Sequence, residues 1–189
     1  SRKKTLDGPF NEVFTADADI LDNAREVAHR PSPLPNGLFR NRGNFTFDDV
    51  AAQAGAGFAV PAAHRGAAFG DLNNDGKIDI VVAVLNGPPQ ILINRTRNTN
   101  HWILLNLAGV KSNRDGLGTR VKITTALGSQ WNHATTCVGF NSSSDKRVHF
   151  GLGSATVIQS IDLYWPSGIH QVLHYVKADQ ILSVKESAQ

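Results

Sequence analysis

Methionine is missing from the 189-residue chain and cysteine occurs once, as Cys137. A single thiol excludes an internal disulfide framework and a cysteine-built zinc site. Set in the strand-like run "ATTCVGF", Cys137 reads as an inert core residue, and one cysteine does not fix the redox compartment. Long apolar stretches are missing too. "IDIVVAVL" and "HWILLNLAG" fall far short of the roughly 20 residues that a membrane-crossing helix needs, so no membrane span is expected. Basic residues do not cluster: residues 1–100 carry eleven Lys/Arg against eleven Asp/Glu, and residues 101–189 carry eight against five. The net surplus of +3 is scattered and not interleaved with aromatics, so no nucleic-acid partner is expected. No signal-peptide-like apolar segment opens the chain, and with Ser1 first the amino terminus reads as processed or excerpted.

Two motifs of catalysis are incomplete. "NRDGLG" (113–118) lacks the Lys-Ser/Thr ending and the following helix of a phosphate loop, and reads as a β-turn with Asp115 and Gly116 at its corners. "NSSSD" (141–145) offers serines and an acid but no Gly-x-Ser-x-Gly elbow. His170 and His174 lie on one face of a strand without a third ligand nearby, and read as surface histidines.

What the chain does have is punctuation. Gly, Pro and Asn separate short runs rich in Val, Ile, Leu, Thr and Phe, which predicts an all-β protein of many short strands. Strands are expected over 11–16, 37–41, 45–50, 66–71, 78–85 and 90–95, and, after a polar joint at 96–100, over 101–109, 119–127, 129–138, 146–153, 160–166, 170–176 and 181–186. Several alternate as half-buried strands do: Val121, Ile123 and Thr125 face one way and Arg120, Lys122 and Thr124 the other, as Ile161, Leu163 and Trp165 oppose Ser160, Asp162 and Tyr164. "WPSG" (165–168) and "KAD" (177–179) read as tight turns. Seven strands in about 90 residues predict a β-sandwich for the second half. One helix is expected, over 18–30, stopping before the proline-rich "RPSPLP". A weak repeat pairs "EVFTA" and "GLFRN" with "DIVVA" and "QILIN", about one and a half copies of a β-unit of roughly 50 residues, the size of a propeller blade.

The densest chemistry is "GDLNNDGKIDIVV" (70–82). Asp71, Asn73 and Asp75 alternate in a tight loop, Gly76 permits a sharp turn, and Asp79 follows. Such a loop converges Asp71, Asn73, Asp75, the backbone carbonyl of Lys77 and Asp79 on one hard cation, and an all-oxygen set favours calcium. An EF-hand is excluded, since its twelfth position would be Val82 and the loop runs into a strand. The competing reading is an Asx-rich turn whose carboxylates only cap backbone amides.

"RGAAFGDLNNDGKIDIVVAVLNGPPQILIN" (65–94) resembles the FG-GAP, or VCBS-type, repeat of calcium-binding propeller blades, and "PNGLFRNRGNFTFDDVAAQAG" (35–55) resembles the segment leading into it. "NHWILLNLAGVKSNRDGLGTRVKI" (100–123), "SSSDKRVHFGLG" (142–153) and "IDLYWPSGIHQVLHYVKADQILSVKE" (161–186) are similar to the ASPIC/UnbV domain of the cartilage acidic protein family and of bacterial secreted proteins. The resemblance implies a remnant of a preceding repeat over 1–34, one FG-GAP/VCBS-like repeat with a calcium loop over 35–97, and an ASPIC/UnbV-like antiparallel sandwich over 98–187. It further implies a non-enzymatic recognition or adhesion module, secreted, periplasmic or at the cell surface, with a glycan or extracellular protein as partner. With little more than one repeat present, the chain is expected to be the carboxy-terminal part of a longer protein. Open blade edges make a homodimer an expected outcome. The rival expectation is a hydrolase of polysaccharide or ester bonds using Asp115, Asp145 and His149 from one shared pocket.

Overall fold

Strands in the second half bury every other side chain, as a sheet with one face on a core must. In β8 (Arg120–Thr125) Val121, Ile123 and Thr125 are buried, and in β11 (Val157–Tyr164) Ile161 and Leu163 are, the pattern having shifted by one residue after buried Ile158. The computed structural model describes residues 12–18, 26, 29, 33–42 and 45–188. Among them it is all-β apart from Glu26, which is helical, and short 3-10 turns at Ala51–Gln53 and Ala56–Ala59, and no helix is long and apolar enough to cross a membrane. The helix expected over 18–30 falls almost wholly outside the described residues.

The first half forms two three-stranded antiparallel sheets. One joins β1 (Glu12–Thr15), β2 (Gly37–Asn41) and β3 (Phe47–Asp49). The other is a meander of β4 (His64–Gly70), β5 (Asp79–Val84) and β6 (Gln90–Leu92). The weak sequence repeat is visible here: "EVFTA" and "GLFRN" supply the pair β1–β2, and "DIVVA" and "QILIN" supply the pair β5–β6. β3 is shorter than the expected 45–50 because Phe45 takes a left-handed φ of 66° and turns the chain.

The second half is a two-layer sandwich. One layer orders β12 (His170–Lys177), β11, β8 and β9 (Gly128–His133), all antiparallel. The other orders β10 (Val148–Gly153), β7 (His101–Ala108) and β13 (Gln180–Lys185). Between them lies one core, built around Ile103, Leu105, Val121, Ile123, Phe150, Ile161 and Leu163. Side-chain amides close one end: Gln130 donates to the Gly151 carbonyl at 2.8 Å and Asn132 to that of His149 at 3.0 Å.

Three expectations are corrected. "WPSG" makes the β11–β12 hairpin, with Gly168 at φ 90° and its amide on the Trp165 carbonyl, but the second turn does not make a hairpin. At Asp179 the chain crosses to the other layer, where β13 runs parallel to β7, so that sheet is mixed rather than purely antiparallel. Asp179 fixes the crossing, because its amide donates to the Trp102 carbonyl at 2.7 Å while its carboxylate takes the Trp102 amide and the His101 ring. Finally, β9 stops at His133 instead of 138: pairing with the β8 side ends with the Ala134 amide on the Thr119 carbonyl, and Thr135 Oγ1 then caps the Cys137 amide at 3.3 Å. Cys137 is therefore exposed, not a core residue. We expect one thiol per chain to react with a maleimide in the native state, at the rate seen in denaturant within about tenfold.

Candidate functional site

Asp71 follows β4 and Asp79 opens β5, so the acidic loop is the connection of a β-hairpin. Left-handed φ values at Asn74 (59°) and Gly76 (83°) coil it tightly. Asp71 and Asp79 are buried at 2% and 1% exposure, which a carboxylate tolerates only when well bonded. Asp71 accepts the amides of Asp75 (3.0 Å) and Gly76 (2.8 Å). Asp79 accepts those of Leu72 (3.0 Å) and Asn94 (2.8 Å), tying the loop to the chain beyond β6. Asn73 Oδ1 also takes the Asp75 amide, at 3.2 Å.

Asp75 is more open. Partial burial works to raise its carboxyl pKa, but the Lys77 amide (2.9 Å), the Lys77 ammonium (3.2 Å) and the Asn73 amide (3.2 Å) outweigh it and hold the group below its ordinary range. Sequence reasoning gave Lys77 only a backbone role, and it missed this ammonium contact.

Every donor in the loop is a hard oxygen, which suits a divalent cation such as calcium and not a soft metal. An oxygen that accepts one amide keeps a second lone pair for an ion. The amide-capping geometry of an Asx-rich turn is also realised in full. Among the described residues no three His, Cys, Asp or Glu side chains are drawn together as a metal-binding group.

What the sequence did not signal is where this loop sits. Its tip is docked on the outer face of the second half. Arg147 donates to the Asp71 carbonyl (2.6 Å) and to Asn74 Oδ1 (2.8 Å), while Asp145 holds the guanidinium from the other side. His149 Nε2 lies 2.8 Å from the Gly76 carbonyl, and since a carbonyl only accepts, that nitrogen carries the proton. Burial lowers the His149 pKa despite this bond, so the imidazole is neutral. Gly76 itself lies under the Trp102 indole, where any Cβ would fall inside the ring. Beside this contact the 144–145 segment covers the edge of β4: the Phe69 amide donates to Ser144 Oγ (3.0 Å), and the Asp145 amide to the Phe69 carbonyl (2.9 Å). A cleft of about 460 Å³ remains between Phe69, Leu72, Asn74, Ser143, Asp145 and Arg147.

The hydrolase candidates are spent on separate partners. Asp115 holds Lys146 at 2.7 Å, which lowers its pKa, Asp145 holds Arg147, and His149 holds Gly76. His170 bonds Asp162 at 3.2 Å and stacks on Tyr164.

The fold and site define a class: an all-β protein in which the acidic hairpin loop of one unit is seated on a sheet face of a β-sandwich. Residues 11–82 match the family model of the FG-GAP-like repeat, and residues 109–189 match that of ASPIC and UnbV. The two matches follow one another along the chain, the first ending before the second begins. It is similar to cartilage acidic protein 1 of Mus musculus and of Homo sapiens, each 50% identical over 60 residues, 31% of this chain and 9% of the relative. Against cartilage acidic protein 1 of Xenopus tropicalis it is 42% identical over 64 residues, 34% of this chain and 10% of that protein. The match therefore spans about a tenth of the length of these relatives.

Proposed function

We propose that this chain is a non-enzymatic recognition module that works outside the cytoplasm and takes a calcium ion in the Asp71–Asp79 loop. Asp71, Asn73, Asp75 and Asp79 would hold the ion through side-chain oxygens and Lys77 through its carbonyl. The observation that carries the reading is the loop's position: an all-oxygen acidic turn, with two of its carboxylates buried, is built into the junction of the repeat and the sandwich. A cation there would draw these oxygens together and stiffen the surface on which Arg147, His149 and Trp102 rest. The tissue in the matched relatives' name accords with an extracellular setting. A non-enzymatic role is supported by the engagement of Asp115, Asp145 and His149 with other partners. A glycan or an extracellular protein is the partner class, and pairing of the terminal strand β6 with a second copy would give a homodimer, read by light scattering.

Calcium binding predicts a stability change. An ion at a hundred times its dissociation constant stabilises the folded state by about 2.7 kcal/mol, which for a chain of this size is a rise in melting temperature of roughly 5–10 °C. The rise should vanish with chelator and in Asp71→Ala. A melting curve unmoved by calcium rejects the ion site.

A further inference from the structure

The outer face of the β12–β11–β8–β9 layer carries an organised set of side chains. Trp131, Tyr164 and His170, from three different strands, form a column of parallel rings: Trp131 and Tyr164 are stacked at 5.7 Å and 23°, Tyr164 and His170 at 4.4 Å and 3°. Arg120 lies 5.5 Å from the Tyr164 ring and Lys122 5.9 Å from that of Trp131, on the strand between. The face is open, with Trp131 47% exposed. Its one carboxylate, Asp162, already accepts from Ser160 (3.1 Å) and meets His170 (3.2 Å). Among the described residues neither Arg120 nor Lys122 has an acidic partner.

We infer that this face binds a polysaccharide bearing uronate carboxylates. Because the rings are stacked on one another, the faces between them are covered, and an aromatic edge is the positive part of the ring quadrupole. Ring edges together with a guanidinium and an ammonium make an anion-seeking strip. The same stacking disfavours single-stranded nucleic acid, which is gripped by bases laid on free aromatic faces. The strip runs across four strands, about 14 Å, a span that suits an extended polymer. Its charge density is low: two cations, about 7 Å apart along one strand, against one engaged acid. That matches a chain with sparse carboxylates, which the planar fork of Arg120 can take in a bidentate manner, better than a densely sulfated one.

The inference deepens the recognition reading and rests on it, but the strip lies entirely on the sandwich, so it is tested apart from the calcium loop. The 189-residue chain is applied to immobilised hyaluronate, heparin, poly-glutamate, single-stranded DNA and neutral dextran at low salt. Retention on hyaluronate that weakens with salt, with none on dextran, is expected, and Arg120→Glu with Lys122→Glu should weaken it at least tenfold. A matching melting temperature shows that the double variant is folded, and Lys122→Gln gives a milder second variant, expected to lose severalfold. No retention on hyaluronate, retention unchanged by charge reversal, or equal or tighter retention on heparin, poly-glutamate or DNA overturns the inference. Calcium-dependent melting without hyaluronate retention leaves the ion site standing and removes only this proposal.

Discussion

Gly76→Val is expected to lower the melting temperature by roughly 5–15 °C and to loosen the repeat from the sandwich. Two costs add at this position. A β-branched residue at φ 83° carries about 1–2 kcal/mol of backbone strain, and the new side chain has no room, since even its Cβ would enter the Trp102 indole. Overpacking of this kind costs about 1–3 kcal/mol when the neighbours can shift. Here they are restrained: Trp102 is the second residue of β7, its amide and carbonyl are both bonded to Asp179, and the Gly76 carbonyl is held by His149. Displacing the loop would also take the Asp71 carbonyl and Asn74 from Arg147. The variant should therefore show tryptophan emission shifted to longer wavelength and faster proteolysis in the exposed 95–100 segment, with Gly76→Ala intermediate. Wild-type emission and melting in Gly76→Val would refute the docking of the loop under Trp102.

Local chemistry was legible in the sequence, and long-range placement was not. Alternation in "RVKITT" and "SIDLYW" indicated which side chains enter the core, because one buried face imposes a period of two. The all-β class and the "WPSG" hairpin follow from the same local rules. The acidic loop announced itself through Asp71, Asn73, Asp75, Gly76 and Asp79, but its seat depends on Arg147 and His149, more than 70 residues away, and nothing in "KRVHFGLG" marks those two as contacts of a distant turn. Arg147 carries no motif of its own in the sequence, and His149 enters there only as a hydrolase candidate. The parallel β13 escaped notice for a related reason: "HQVLHYVKADQILSVKE" looks like a hairpin, and only the bonds of Asp179 to Trp102 and His101 send the second strand to the other layer. Cys137 was misread because strand pattern continues past His133 in the sequence while the ladder does not.

Glu186 is the other residue whose weight is invisible in sequence, where it is merely the acid ending "ILSVKE". Beyond β13 it is buried at 2% exposure, and one of its oxygens accepts three successive amides, Val110 at 2.6 Å, Lys111 at 2.8 Å and Ser112 at 2.8 Å. The other oxygen accepts the hydroxyls of Ser112 and Ser167. One carboxylate thereby pins the loop after β7 and the β11–β12 hairpin to the last strand. Desolvation works to raise its pKa, but the Ser167 hydroxyl, the Ser112 and Val110 amides and the Ser112 hydroxyl prevail and hold it down from 4.5 to about 2. A group with a depressed folded-state pKa stabilises the fold fully above its unfolded value and loses that contribution as pH falls through the folded one. Glu186→Gln should accordingly melt roughly 10 °C lower than wild type at pH 7, because charge-assisted bonds are replaced by weaker ones and a misfitting amide donor faces amide donors. The gap should hold down to about pH 4.5 and then close toward pH 2, as the wild-type carboxyl takes up its proton. Glu186→Asp, which keeps the charge but shortens the reach, should recover part of the stability and retain the acid-side slope. A gap between wild type and Glu186→Gln that stays constant from pH 7 to pH 2 would mean that the five donors do not depend on the charge, and the carboxylate would then be a shape-filling residue rather than an electrostatic staple.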